Sequence, residues 1–167
     1  MAPPSDQDEQ PLGRAAERPR AVPAAASSTL ELALSAEWVA PSIVRQRVER
    51  WLRELRWPPA QIDELVLAVS EAVSNSIEHG YRVPSDAVDH PGIVAVRGRI
   101  LTEPDGYRRA EITVHDEGSW REPAGGASTR GHGMLIMRTC SDRFSIEHGP
   151  GGTTVVLLGR PTPPPLA

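Results

Sequence analysis

The chain has 167 residues, a formal net charge of -4 and a single cysteine, Cys140. That length suits one compact domain with loose ends. One cysteine excludes an internal disulfide and a thiolate zinc cluster, and Cys140 is expected as a small buried residue in a helix. No Lys/Arg block as long as a nucleic-acid arm occurs, so no direct nucleic-acid partner is expected. No apolar run of about 18 residues is present, so no membrane span is expected. The first residues lack a basic region followed by an apolar run, which leaves a cytoplasmic protein as the default.

Residues 1–28 are rich in Pro, Ala, Ser and charge without apolar period, and read as a tail. Residues 29–36 alternate apolar and polar, as a half-buried strand does. Pro41 fits a helix start, and Ile43, Val44, Val48, Trp51, Leu52 and Leu55 follow at helical spacing until Pro58 and Pro59. Arg45, Arg47, Arg50, Arg53 and Arg56 interleave with them and read as the wet face of that helix. A second helix is predicted from about Pro59 to His79, with Ile62, Leu65, Val66, Val69, Ala72, Val73 and Ile77 inward.

Residues 81–92 read as a loop. Residues 93–101 and 109–115 are predicted as an antiparallel hairpin around the turn signal Glu103-Pro104-Asp105-Gly106. Residues 117–133 carry five glycines and little apolar content, and a loop of that length in a compact domain is functional or disordered. Gly133 to Cys140 is predicted as a short helix with Met134, Leu135 and Met137 turned inward. Residues 144–147 and 153–158 read as two more strands, and the Pro-rich end, 161–167, as a second tail that builds neither helix nor sheet. The domain is therefore 29–160. The element order predicts an α+β fold, a two-layer α/β sandwich with a mostly antiparallel sheet and helices on one face.

Four segments carry polar chemistry. Glu71, Asn75 and His79 recur every four residues of the second helix and share one face. The Asn amide oxygen is a hard, neutral ligand suited to Mg²⁺, and a Glu one turn earlier can orient and deprotonate a hydroxyl or water. A solvated helix face explains the same spacing. Asp116-Glu117-Gly118 follows a strand: its carboxylate can accept from an exocyclic amine, and Gly118 lets backbone approach a ligand, though an ordinary strand exit reads the same. Arg130-Gly131-His132-Gly133-Met134 opens the short helix, where free N–H groups suit phosphates. Gly151-Gly152-Thr153-Thr154-Val155 opens the last strand, where a threonine hydroxyl can reach a base or a water; a tight hairpin gives the same pattern. Among the histidines, none has metal-ligand spacing such as His-Glu-x-x-His.

The four segments in this order resemble the GHKL (histidine-kinase-like) ATPases. Ser70 to Tyr81, together with the Gly-x-Gly-Met segment and the closing Gly-Thr-Thr strand, is similar to the anti-sigma factor serine/threonine kinases (RsbW-like) in particular. The resemblance covers roughly residues 30–159. It implies the Bergerat ATP-binding fold, with ATP and Mg²⁺ as cofactors. Carried over by position, Asn75 is the Mg²⁺ ligand and Glu71 the general base. Asp116, with Gly118 beside it, reads the adenine amino group. Arg130, Gly131 and Gly133 wrap the phosphates, Thr153 or Thr154 lies near the base, and His79 serves packing or phosphate contact. The implied partners are a STAS-type anti-anti-sigma protein, a sigma factor, or both, and homodimers are frequent in the subgroup.

One departure separates two expectations. The first glycine box of the family commonly reads Asp-x-Gly-x-Gly, and Trp120 stands here at the second glycine. It adds bulk and removes φ freedom at the lid, which leaves ATP binding expected and makes phosphotransfer a separate question. The alternative is an ATP-dependent protein-binding module with weak or no transfer. A sensor histidine kinase core is disfavoured, since no dimerisation helix bearing a phosphoacceptor histidine is expected ahead of the first helix.

Overall fold

The computed structural model describes residues 27–80, 92–118 and 130–165; the side chains of His79, Gly80, Arg130 and Gly131 are outside the described ones. Five strands form a single sheet in the order β1-β2-β3-β5-β4, where β1 is Thr29–Ser35, β2 Ile93–Thr102, β3 Arg108–Asp116, β4 Arg143–Gly149 and β5 Gly152–Leu158. Every pairing is antiparallel. Among the described residues three α-helices, α1 (Ala40–Glu54), α2 (Pro59–Asn75) and α3 (Arg130–Thr139), complete an α+β fold.

The strands alternate because only one face of the sheet is covered. On β3, Ala110, Ile112 and Val114 are buried while Glu111, Thr113 and His115 are partly exposed. On β5, Val155 and Leu157 continue the buried row. Against this face lie Val44, Val48, Trp51 and Leu52 of α1 and Ile62, Leu65, Val69, Ala72 and Val73 of α2. Each fully buried Leu, Ile or Val side chain contributes about 1.5–3 kcal/mol by leaving water. Trp51 lies against β2: a Cβ on Gly98 would come within 2.8 Å of its ring, so this strand needs glycine to admit the indole.

Both helix starts use proline near the first helical position, where a missing N–H costs nothing. The end of α1 is a Schellman motif. The Trp57 N–H donates to the Leu52 carbonyl and the Arg56 N–H to the Arg53 carbonyl, with Arg56 in the left-handed region at φ 56°. Leu52 and Trp57, the residues that such a motif brings together, are both buried. Arg108 then lies over the Trp57 ring at 4.7 Å and donates to the Leu55 carbonyl, and burial lowers its pKa. Burial also raises the pKa of the Cys140 thiol, and the neighbouring Glu64 adds to the rise while Arg160 opposes it, which keeps this half-buried side chain protonated and inert.

The structure corrects three sequence expectations. The second helix stops being α-helical at Asn75 and continues as a π-helical turn, Ser76–Gly80. There the Ser76 hydroxyl donates back to the Ala72 carbonyl, competing with the regular ladder. The short helix begins at Arg130, three residues before the predicted start, so the Gly-His-Gly segment is its first turn. Leu135, predicted inward, is 60% exposed; Met137 carries the inward position, with Met134 partly buried beside it. Residues just outside the predicted domain bounds also bond to it. Trp51 Nε1 donates to the Ser27 carbonyl and the Ile100 N–H to the Ser28 carbonyl. At the other end Thr162, 2% exposed, exchanges two backbone hydrogen bonds with Arg108, and its hydroxyl donates to Gln61 Oε1. The predicted loop 81–92 falls, apart from Gly92, outside the described residues, as do 119–129.

Gly98→Val places a branched side chain where Trp51 already lies. Urea unfolding is expected to show a loss of about 1–3 kcal/mol, and an unchanged midpoint would remove the indole from that position.

Candidate functional site

The pleat that builds the core also builds one wall of the site. Asp116 is the next inward position on β3 after Val114, and it is 2% exposed. A buried carboxylate needs donors, and the Gly118 N–H donates to Asp116 Oδ1 at 3.0 Å. Thr153 of β5 is the direct cross-strand partner of Asp116 and is itself buried on the same face. Thr154 is one residue on and therefore points to the opposite face, where its Oγ1 lies 2.9 Å from His115 Nδ1 in a hydrogen bond. Of the two threonines named from the sequence, the structure brings Thr153 to Asp116 and sets Thr154 behind the sheet.

The register places this corner within the sheet. Leu34 pairs with Val94, Val94 with Asp116 and Asp116 with Thr153, so the C-terminal ends of β1 and β3 lie in one row. Behind the row stands Gly152, which sequence reasoning passed over as a turn residue. Its φ is +108°, and a Cβ there would overlap the Asp116 carbonyl and approach Glu117 Cα to 2.7 Å. The signal for it was present in the doubled glycine ahead of Thr153. What the sequence alone does not give is that the β4–β5 turn presses on the end of β3.

The second wall is α2. Glu71 and Asn75 lie one turn apart on it, both partly exposed, beside buried Ala72 and Val73. They meet α3: a Cβ on Gly133 would stand 3.0 Å from Glu71 Oε2, 3.5 Å from Asn75 Nδ2 and 3.6 Å from Asn75 Oδ1. A glycine in the first turns of α3 thus lets its backbone pack directly on both polar side chains. Arg45 of α1 reaches the same stretch, donating to the buried Ser70 hydroxyl at 3.3 Å; this link was not anticipated from the sequence.

Beyond Asn75 the π-helical turn ends the α-helical register, so the four-residue spacing from Glu71 is not carried to residue 79 by helix geometry. The side chains of His79, Arg130 and Gly131 lie outside the described ones, and so does all of Trp120. Among the described residues no group of three or more His, Cys, Asp or Glu is arranged to hold a metal ion by itself. The polar groups brought together are therefore a buried carboxylate with a threonine at the sheet end, and a Glu–Asn pair against a glycine at a helix start. The first is an acceptor site for an amine. The second sets an amide oxygen and a carboxylate against the first turns of a helix, an end where anions can be stabilised.

Replacing Gly152 with alanine forces a left-handed φ on a residue with a Cβ and drives that Cβ into β3. Thermal or urea unfolding should register a loss of about 2–4 kcal/mol; a change under about 0.5 kcal/mol would mean that the turn does not press on Asp116.

Residues 32–158 match the histidine kinase-like ATPase domain family. Among solved structures, the chain is similar to the RsbU and RsbW domains of Rv1364c from Mycobacterium tuberculosis, at 29% identity over 84% of this chain and 35% of that one, with a TM-score of 0.59. The chain thus spans about a third of that protein's crystallised length. A histidine kinase domain from the Erythrobacter litoralis EL346 blue-light activated histidine kinase matches at 17% identity over 69% of this chain and 59% of that one, with a TM-score of 0.43. By the extent of the family match, this chain belongs to the histidine kinase-like ATPase domain family.

Proposed function

We propose that the chain is an anti-sigma-factor-type serine/threonine protein kinase, which transfers the γ-phosphoryl group of ATP to a serine or threonine of a STAS-type anti-anti-sigma protein and regulates a sigma factor by partner switching. The observation that carries this reading is the contact of Gly133 with both Glu71 and Asn75. This approach brings the Glu71 carboxylate and the Asn75 amide to the N-terminal end of α3, which supports their use as base and Mg²⁺ ligand beside phosphates. Similarity to a protein whose structure contains an RsbW domain supports the same assignment.

The residues present suit Mg-ATP. Asp116, buried and already accepting from Gly118, offers a carboxylate to the adenine amino group, with Thr153 beside it. The Asn75 amide oxygen would hold Mg²⁺, which when bound neutralises charge on the phosphates. The first turn of α3, from Arg130 through Gly131 to Gly133, contributes backbone N–H groups. Glu71 would accept the proton of the attacking hydroxyl, and its closeness to Gly133 of α3 holds the carboxylate at that helix start. His79 is assigned to phosphate contact or packing, and of the two threonines Thr153 rather than Thr154 to the base, since Thr154 bonds His115 behind the sheet.

Glu71→Ala should lower transfer about 10²–10⁴-fold while ATP affinity stays within about twofold. The assay is incubation with labelled ATP, Mg²⁺ and a panel of STAS-domain proteins. Near wild-type labelling by the variant would remove Glu71 as base. ATP-dependent binding of a STAS protein without labelling by the unmodified chain would instead favour a binding module.

Gly133→Ala separates structure from chemistry. Alanine is favoured over glycine in a helix by about 1 kcal/mol, so folding stability should hold or rise. The added methyl stands 3.0 Å from Glu71 Oε2 and shifts that carboxylate, while Asn75 stays in ordinary contact, and transfer should fall about 10²-fold. Equal activity in a stable variant would show that the contact does not position the pair.

A further inference from the structure

Among the described residues seven large hydrophobic side chains are exposed, and three of them fall within six positions: Trp38 at 64%, Val39 at 54% and Ile43 at 37%. They occupy the turn from β1 into α1 and its first turn. Val39 is the N-cap of α1, a position that favours Ser, Thr, Asp or Asn, and it makes no side-chain cap hydrogen bond. Trp38 and Ile43 hold the two positions of a hydrophobic staple, N′ and N4, yet both remain exposed to water, as does Val39 between them.

The run continues as charge. Val39, Ile43, Arg47 and Arg50 follow helical spacing and make one exposed stripe along α1. The other arginines of the helix are engaged: Arg53 pairs with Glu49 at 2.6 Å and Arg45 donates to Ser70. Arg47 and Arg50 have no ion pair among the described residues. In a chain of net charge -4, Arg47 and Arg50 set two positive charges next to the apolar residues, with the exposed Glu37 and Glu54 at the two ends of the stripe.

Its place in the fold ties it to the site. β1 ends beside Val94, in the row that contains Asp116, and Trp38 follows three residues after that strand. Through Arg45 the same helix touches Ser70, the residue before Glu71. We propose that Trp38, Val39 and Ile43, with Arg47 and Arg50, dock the protein substrate, and that the docked segment is acidic and carries an apolar anchor. This deepens the kinase reading and rests on it for the identity of the partner. Charge complementarity selects the occupant: the apolar residues take the anchor, and the unpaired guanidinium groups take flanking carboxylates in bidentate fashion.

The test uses the full chain and a helical peptide of about 18 residues, with leucines at i and i+4 flanked by glutamates. A lysine-for-glutamate peptide and vesicles of phosphatidylglycerol and phosphatidylcholine serve as competing probes. The readout is the set of indole N–H resonances, with Trp38 assigned by the W38F variant. The acidic peptide is expected to shift the Trp38 signal saturably and leave the buried Trp51 and Trp57 signals in place. R47E/R50E should weaken that binding at least about tenfold without changing ATP affinity. Equal or tighter binding of the lysine peptide or of the vesicles would overturn the proposal. So would an R47E/R50E affinity equal to wild type, or a Trp38 shift that depends on protein concentration alone. Peptide docking that survives in a chain unable to label any STAS protein would retire the kinase reading while keeping the docking surface.

Discussion

Along β3 the inward positions run Ala110, Ile112, Val114 and then Asp116, so the row that closes the core ends in a carboxylate. A strand gives such a residue no choice of side, because its pleat has period two. The apolar part of the row fixes the register against β2 and β5, and the register delivers Asp116 to the sheet end with Thr153 opposite. Desolvating that carboxylate is costly unless it is hydrogen-bonded. The Gly118 N–H supplies one bond, and a ligand amine would supply another. The core thus positions an acceptor that its own packing does not use.

The helices meet that corner through small residues. Gly133 removes the side chain that would separate α3 from Glu71 and Asn75, and Gly152 removes the one that would push the β4–β5 turn away from β3. In both cases glycine trades intrinsic preference for close approach. The π-helical turn belongs to the same economy of space: it widens the backbone directly after Asn75. Wide turns of this kind are frequent at functional sites.

Much of this was legible in the sequence because the decisive signals were periodic. Alternation in 29–36 and 109–115 and the 3.6-residue spacing of Ile62, Leu65, Val69, Ala72 and Val73 identify elements whose cores are where they were expected. The failures have local causes. Leu135 reads as inward because leucine is apolar, but two residues along a helix from Gly133 is nearly the far side. Thr162 sits in a proline-rich end, and only the tertiary partner Arg108 makes it a bridging residue. Thr153 and Thr154 are equivalent as composition; the parity of the β5 pleat separates them. Arg45 and Ser70 lie 25 residues apart, and nothing in either segment announces their bond.

The first helix shows how one element serves two surfaces. Its inner face supplies Val44, Val48, Trp51 and Leu52 to the core, and Trp51 is held by Gly98 beneath it and by the Ser27 carbonyl at its indole nitrogen. That anchoring fixes the rotation of the helix about its axis, because the indole fits in only one direction. Once the rotation is fixed, so is the direction of the opposite stripe, and Ile43, Arg47 and Arg50 face water. An exposed Trp38–Val39 pair at the start of such a helix adds nothing to the buried core and costs a conventional cap. In a domain whose stability margin is small, residues that contribute neither burial nor capping, and that stand at the end of the sheet shared with Asp116, are placed where a second protein would meet them.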